Sequence, residues 1–233
     1  MSDAVSGAVS GGSGEESGGR LSQFQLDLAA VFFALPQSVG FLLAGGGALI
    51  AQELVSRETD DLDFFADRRA GDVPAAGEAF LVAVDERGWD AEVIRSGPEF
   101  RRIKVTRILG NETETMYVDL ALDSPPTGAP TITVAGPAFG PFELATRKTL
   151  ALFSRAEPRD FTDVHALHQR FDRDEILRAA ALADPGFDLD VFIDMLRSHR
   201  RLSDQDFPPA GVNTAALRAY FDDWANQLSN TKL

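Results

Sequence analysis

The chain has 233 residues, of which 44% are hydrophobic and 25% charged, a composition typical of a globular protein with one large domain or two small lobes. It has no cysteine, which excludes disulfides and thiolate metal sites, and its three histidines are too few and too poorly grouped for a zinc enzyme. The net charge of −14 argues against broad nonspecific binding to nucleic acid, so a few placed cations would have to hold any such partner.

The chain shows no recognisable membrane or export signal. No apolar run approaches the roughly 20 residues that a membrane span needs. The N-terminus lacks a basic patch followed by an apolar stretch, so we expect no signal peptide and a cytoplasmic protein without a membrane partner. Residues 1–20 are rich in glycine and serine, and this composition predicts a disordered tail.

Residues 21–140 are predicted to form a lobe that mixes helices and strands. Apolar residues at three- and four-residue spacing predict a first helix over 21–35, which Pro36 ends. Further helices are expected at 48–57 and 72–88. Short apolar or alternating segments predict strands at 41–44, 62–65, 90–96, 100–108, 115–122 and 131–134, with Asn111 in the turn between the fourth and fifth.

Residues 141–233 are predicted to form a helical lobe. Prolines interrupt the helical pattern at Pro158, Pro185 and Pro208. The segments between them predict helices at 142–155, 160–170, 173–183, 188–200 and 212–228. The predicted fold class is therefore α/β, with a mixed-sheet lobe followed by a C-terminal helical lobe.

A glycine turn and a pair of acids lie close together in the sequence. Gly45, Gly46 and Gly47 follow a strand and precede a helix, an order that suits phosphate binding because glycine permits close approach and helix N-termini offer free N–H groups. On the next strand Asp61 and Asp63 point to the same face, about two rises of 3.3 Å apart. Paired carboxylates repel each other unless a cation joins them, and hard oxygen ligands suit Mg²⁺.

A third acid, Asp119, is predicted to complete this site. Residues 117–122 alternate, which places Asp119 on one strand face with Tyr117 and Ala121. An acid in the middle of a buried strand is costly without a partner, and metal shared with Asp61 and Asp63 would be that partner. Two Mg²⁺ ions held by these three catalytic acids would serve an NTP-dependent reaction in which pyrophosphate leaves. Asp119 would also accept the proton of an acceptor hydroxyl.

Two blocks of the sequence resemble a known family. Gly46-Gly47, thirteen residues and then Asp61-Leu62-Asp63-Phe64 match the signature of the polymerase-β-like nucleotidyltransferase superfamily. The segment AGGGALIAQELVSRETDDLDFF looks like the AbiEii/AbiGii toxin group, which includes the mycobacterial MenT toxins. A second block, LATRKTLALFSRAEPRDFTDVHAL at 144–167, resembles the second motif of that group, and the two blocks in this order are more specific than either alone.

The resemblance implies a fold, an activity and further site residues. The fold would be a polymerase-β-like nucleotidyltransferase lobe, and the activity Mg²⁺-dependent transfer of a nucleoside monophosphate from an NTP to tRNA or another RNA 3′ end. The protein would then be the toxin of a toxin–antitoxin pair, with a cognate antitoxin as partner. Beside Gly45, Gly46 and Gly47, the resemblance implies nucleotide-binding roles for Arg57, Thr59, Lys148 and Asp160, and catalytic roles for Lys148 and Asp163.

Some of these residues also have plainer structural interpretations. Lys148 lies on an apolar helical stripe and would extend to solvent, or else reach the triphosphate as a point charge. Asp160 follows a proline and suits a capping position in the first turn of a helix. Asp163 is expected to orient Lys148 or the nucleotide. Gly47 stands where the group usually has threonine or serine, so a hydroxyl contact to phosphate would be lost.

Other charged groups fit either a functional or a structural role. Arg102 and Lys104 share one strand face and would line a nucleotide or RNA groove, or merely cover a solvated face. A second candidate RNA contact is a basic cluster that comprises Arg197, His199, Arg200 and Arg201. Charge runs of this kind are usually just solvated. His165 and His168 lie one turn apart, but without further ligands they are expected to be core or surface residues.

Two other functions stay open at this point. The same chemistry on a small acceptor, as in aminoglycoside-modifying enzymes, suits the strongly acidic charge, because a cationic acceptor would be attracted. A catalytically inactive nucleotide-binding module would keep the fold, but the intact set of three aspartates argues against it.

Overall fold

A seven-stranded mixed sheet organises the first part of the chain. The computed structural model describes residues 19–208 and 213–231. The predicted disordered tail falls outside these residues except for positions 19 and 20, and so does position 212 of the last predicted helix. The strands, in the spatial order β3-β4-β5-β2-β1-β7-β6, are β1 (Phe41–Ala44), β2 (Asp61–Asp67), β3 (Asp90–Ser96), β4 (Phe100–Leu109), β5 (Glu112–Asp123), β6 (Thr131–Thr133) and β7 (Gly136–Ala138).

Eight α-helices accompany the sheet in the described parts of the chain. They are α1 (Gln23–Phe33), α2 (Gly45–Ala51), α3 (Val73–Asp85), α4 (Pro141–Ser154), α5 (Pro158–Leu167), α6 (Arg173–Ala183), α7 (Leu189–Arg197) and α8 (Thr214–Thr231). Single turns of 3₁₀-helix lie at Pro36–Ser38, Ser198–Arg201 and Asp204–Asp206. Within the two described ranges, none of these helices combines the length and the apolar character needed to cross a membrane.

One face of the sheet is closed by α1 and α3. Alternation along β2 buries Leu62, Phe64 and Ala66, and Phe64 stacks on Phe32 of α1 with ring centroids 4.3 Å apart. Charged residues on the same face of β4 are paired: Arg101 with Glu78, and Arg107 with Asp27 and Glu114. Because every second residue points here, the residues between them point to the opposite face.

A second apolar cluster lies among the C-terminal helices. Its largest members are buried aromatic residues, namely Phe161, Phe192, Phe221 and Trp224. Helix α4 joins the two clusters, because Leu144 and Ala145 pack with the sheet whereas Leu152 packs with the C-terminal helices. The proposed boundary between lobes at residue 140 therefore lies just before a helix that contributes to both clusters.

Most predicted elements are present, with two main differences. The predicted helix bounds of 48–57 are wrong, because α2 begins at Gly45 and ends at Ala51. Glu53 then adopts a left-handed conformation with φ of 55°. Leu54 and Val55 are buried without being helical, which is why the apolar spacing suggested a longer helix. Strand β7 was not expected; it pairs with β1 through Leu43 and Ala138.

Candidate active site

The three predicted metal ligands lie on the same face of two neighbouring strands. Strands β2 and β5 pair in parallel, and the register sets Asp63 beside Asp119 and Asp61 beside Tyr117. Adjacent strands are about 4.8 Å apart, so the backbones of Asp63 and Asp119 are direct neighbours. All three acids therefore lie on the sheet face that α1 and α3 leave uncovered.

Gly45 lies directly against this cluster. Strand β1 runs antiparallel to β2 and pairs Ala44 with Asp63, so the next residue begins α2 beside the acids. Gly45 has φ of +56°, and a Cβ atom added to it would lie 1.7 Å from Oδ2 of Asp63. Glycine is therefore required here both by the backbone conformation and by the carboxylate.

The other two glycines face different neighbours. A Cβ atom on Gly46 would lie 2.7 Å from Oγ1 of Thr59, whereas one on Gly47 would lie 3.0 Å from Cδ2 of Leu62. The side-chain direction at residue 47 therefore leads towards apolar atoms. Because residue 47 has no side chain, α2 has room to pack on β2. The same substitution removes a hydroxyl that could have contacted phosphate.

Burial and mutual repulsion disfavour the charged forms of these acids. The pKa of Asp63 is raised to about 7 by burial and by the charges of Asp61 and Asp119, against the opposing charges of Lys148 and Arg159. Burial also raises the pKa of Asp119 to about 6; the charge of Arg102 lowers it and that of Asp61 raises it. Each shift disfavours the charged carboxylate, so the nearby cations do not offset burial and repulsion.

One buried oxygen of the cluster has no partner. Oδ1 of Asp119 accepts no hydrogen bond from any described residue, while Oδ2 lies 3.4 Å from Nη1 of Arg102. Asp61 is held elsewhere: Thr59 donates a hydrogen bond of 2.8 Å to its Oδ1, and Nη1 of Arg159 lies 3.6 Å from its Oδ2. In residues 19–208 and 213–231, no three acidic or histidine side chains are already arranged as a metal site.

A buried network of ion pairs lies behind the glycine turn. Arg57 donates two hydrogen bonds to Asp163, from Nε at 2.7 Å and from Nη2 at 2.8 Å. Nζ of Lys148 lies 2.8 Å from Oδ2 of Asp163 and 3.4 Å from Oδ1 of Asp160. Both acids are at most 1% exposed, so Arg57 in the sheet lobe, Lys148 on α4 and the acids of α5 form one desolvated unit.

Asp160 has two structural functions at once. Its carboxylate accepts a hydrogen bond from the backbone N–H of Glu157 in a capping box, and it pairs with Arg155 through two hydrogen bonds. Burial alone would raise the pKa of Asp160, but the hydrogen bonds from Arg155 and the charge of Lys148 outweigh it, so the pKa lies below its usual value. The pKa of Asp163 is likewise lowered, with Lys148 and Arg57 overcoming burial.

Comparison with known proteins identifies the family. A family model described as a nucleotidyl transferase AbiEii toxin of type IV toxin–antitoxin systems matches residues 27–231. The chain belongs to the AbiEii family. It is therefore a nucleotidyltransferase of a toxin family, as the two sequence blocks implied. No curated protein matches it in sequence.

Solved structures share the fold of this AbiEii chain. JHP933 from Helicobacter pylori superposes with a TM-score of 0.58 at 16% identity, over 91% of this chain and 94% of that one. A putative nucleotidyltransferase from H. pylori gives 0.57 at 15% identity, over 91% and 97%. MenT4, a nucleotidyltransferase toxin of Mycobacterium tuberculosis H37Rv, gives 0.58 at 16% identity, over 88% and 82%. The predicted mixed α/β fold of a nucleotidyltransferase is confirmed.

The remaining candidates of the AbiEii chain fall into two groups. Most of the C-terminal basic cluster is engaged within the protein, since His199 and Arg200 both contact Asp222 and Arg197 donates to Ser229. His168 is partly buried and hydrogen-bonded to the hydroxyl of Tyr220, a structural position. In contrast, Arg102 and Lys104 lie on the open face beside Asp119.

Sequence reasoning did not assign Arg155 and Arg159 to the site. Arg155 is the principal partner of Asp160, and Arg159 reaches towards Asp61 from α5. Arg159 lies within the second block that resembles the family motif, and this is the one signal in the sequence that points to it. Nothing local distinguishes Arg155 from the other arginines, because its partner lies beyond a turn.

Proposed function

We propose that the protein transfers a nucleoside monophosphate from an NTP to the 3′ hydroxyl of an RNA, with tRNA as the first candidate, and that it does so with Mg²⁺ held by Asp61, Asp63 and Asp119. The observation that carries the proposal is the placement of Asp63 between Asp119 on the neighbouring strand and Gly45 at the start of α2. Asp63 would thereby be a ligand of the divalent cation and lie next to the residues that bind the phosphates.

The donor set fits magnesium. All three side chains offer carboxylate oxygens, the ligands that this hard cation prefers, and Oδ1 of Asp119 is buried without a partner. The raised pKa values of Asp63 and Asp119 mark a place where positive charge would be stabilised. When bound, two such ions would polarise the attacking and departing oxygens of the phosphoryl transfer. Asp61 would exchange its hydrogen bond from Thr59 for this coordination.

We assign nucleotide binding to the glycine turn and to the ion-pair network behind it. Gly45, Gly46 and Gly47 would bring backbone N–H groups at the start of α2 close to the triphosphate. Lys148 is near enough to lower the pKa of Asp63, so its charge acts on the same space. Arg57 and Asp160 are buried and engaged in the ion-pair network. We therefore assign them an indirect role in nucleotide binding, in which Arg57 holds Asp163 and Asp160 holds Lys148 in place.

The chain's own residues would complete the transfer. The acceptor hydroxyl oxygen attacks the α-phosphorus of the NTP, and the bond to the bridging oxygen of the β-phosphate breaks, so pyrophosphate leaves with that electron pair. The carboxylate of Asp119 accepts the hydroxyl proton. Asp163 holds Lys148 in place throughout, and Arg159, whose side chain is 39% exposed, can contact the departing phosphates.

The proposed partners follow from the family and from charge. A cognate antitoxin is proposed because the family model describes a toxin–antitoxin system. The net charge of −14 favours a cationic small acceptor such as an aminoglycoside as the second candidate for the same chemistry.

The test is transfer of label from an α-³²P NTP. Purified protein is incubated with each of the four NTPs, Mg²⁺ and either total tRNA or a panel of aminoglycosides, with EDTA as the metal-free control. We expect labelled RNA from the wild type and none from Asp63→Asn. Asp67→Asn, an equivalent charge change four residues further along β2, should label RNA normally. If only the aminoglycosides were labelled, the acceptor would be a small molecule and not RNA. Full activity of Asp63→Asn would refute the proposed active site.

A further inference from the structure

The sheet face next to Asp119 continues as an open surface over β4 and β3. Along β4, Arg101, Ile103 and Val105 are buried against the helices, so the residues between them point to the side of Asp119. The register brings Arg102 opposite Asp119 and Lys104 opposite Tyr117 on β5. On β3, Arg95 pairs with Arg102 and is exposed to solvent.

Two arginine–aromatic pairs lie on this surface. The guanidinium of Arg102 lies over the ring of Tyr117, 4.7 Å from its centroid, and that of Arg95 lies 5.3 Å from the centroid of Phe100. Nη1 of Arg102 is also 3.4 Å from Oδ2 of Asp119, so the surface begins at a proposed metal ligand. Planar cations on aromatic rings are oriented in advance, which lowers the entropy lost when a ligand binds.

We propose that this surface, formed by Arg95, Phe100, Arg102, Lys104 and Tyr117 and here called the acceptor platform, binds the single-stranded 3′ end of the RNA acceptor. This inference rests on the proposed function and identifies where and how the acceptor is held. Unstacked bases pack on aromatic rings and guanidinium planes, and the three cations neutralise backbone phosphates. Because stacking tolerates any base, the platform selects single strands without strict sequence preference.

The distribution of charge limits the RNA to a short single strand. Glu92 stands opposite Lys104, and Asp90 stands opposite Thr106, so acidic residues border the cations on β3. A duplex carries a negative charge every 1.7 Å or so and would meet this border and the acidic remainder of the protein. A strand of about two or three nucleotides would contact only the platform, with its terminal hydroxyl next to Asp119.

The test measures RNA binding separately from catalysis. Fluorescence anisotropy with a labelled single-stranded RNA 12-mer of mixed sequence, and with the matching blunt duplex, is recorded without NTP and with EDTA. We expect the wild type to prefer the single strand. Tyr117→Ala should weaken binding about tenfold, as for loss of one stacked base, whereas Tyr117→Phe should retain it. Lys104→Gln should weaken it and also reduce the salt dependence by about one released ion.

Arg178→Gln provides the matched control for charge. Arg178 is exposed on α6, so its replacement changes the net charge as Lys104→Gln does without touching the platform. The platform would be refuted if Arg178→Gln and Lys104→Gln weakened RNA binding equally. It would also be refuted if Tyr117→Ala bound RNA as tightly as the wild type.

Labelling of RNA separates this inference from the proposed function. Transfer to RNA that is unchanged in Lys104→Gln and Tyr117→Ala would leave the proposed function intact and refute the platform. Single-strand binding that these variants weaken, in a protein that labels no RNA, would support the platform and refute the transfer. Preferential binding of the blunt duplex, or of an aminoglycoside competitor at the same residues, would exclude a single-stranded acceptor.

Discussion

Gly45 offers a sharp test of the active-site geometry. In Gly45→Ala the new Cβ atom would stand 1.7 Å from Oδ2 of Asp63, far inside the 3.0 Å that Cβ atoms keep from other heavy atoms. Either the carboxylate or the start of α2 must therefore retreat by about 1 Å, and a displacement of that size costs on the order of 100-fold in rate when it affects a reacting group. We expect kcat/KM for nucleotide transfer to fall by at least this factor, about 2.7 kcal/mol in transition-state stabilisation.

Gly110 provides the control for backbone strain. It has φ of +62°, close to the +56° of Gly45, but a Cβ atom there would meet nothing within 4 Å. Both alanine variants should lose about 1–2 kcal/mol of unfolding free energy in urea titrations, because the left-handed conformation is unfavourable for alanine. Only Gly45→Ala should also lose activity. Equal activity of the two variants would show that contact between Gly45 and Asp63 is not needed for catalysis.

Further predictions concern the buried network and the metal. Asp163→Asn leaves Arg57 and Lys148 without their shared counter-charge, so we expect a loss of about 3–5 kcal/mol of unfolding free energy in urea; a loss below 1 kcal/mol would contradict the network. The lowered pKa of Asp163 stabilises the fold at neutral pH, and this contribution disappears as pH falls below the usual carboxyl range; the acid unfolding profile should therefore be shallower in Asp163→Asn. Asp119→Asn should raise the melting temperature in EDTA by removing a repelled charge, and should abolish the increase that Mg²⁺ gives the wild type.

The local parts of the site could be predicted from the sequence. Period-two alternation alone places Asp61 and Asp63 on one strand face, and Asp119 on the same face as Tyr117. The strand that precedes the glycines is short and wholly apolar, which marks it as a buried central strand.

The non-local parts could not be predicted from pattern. Strands β3 and β4 intervene in the chain between β2 and β5, and nothing local specifies that β2 and β5 pair in parallel with Asp63 beside Asp119. Arg57 and Asp163 are 106 residues apart, and their pairing depends on how α5 packs behind the glycine turn. The end of α2 was also hidden, because Leu54 and Val55 are buried in an irregular segment that keeps apolar spacing.

The most direct measurement is a crystal structure of the protein with Mg²⁺ and a non-hydrolysable NTP analogue. We expect metal ions bound by oxygens of Asp61, Asp63 and Asp119 at about 2.0–2.1 Å, with the triphosphate against the backbone of Gly45 to Gly47. A nucleotide bound away from the glycine turn, or a triphosphate whose metal ions contact none of these three carboxylates, would contradict it.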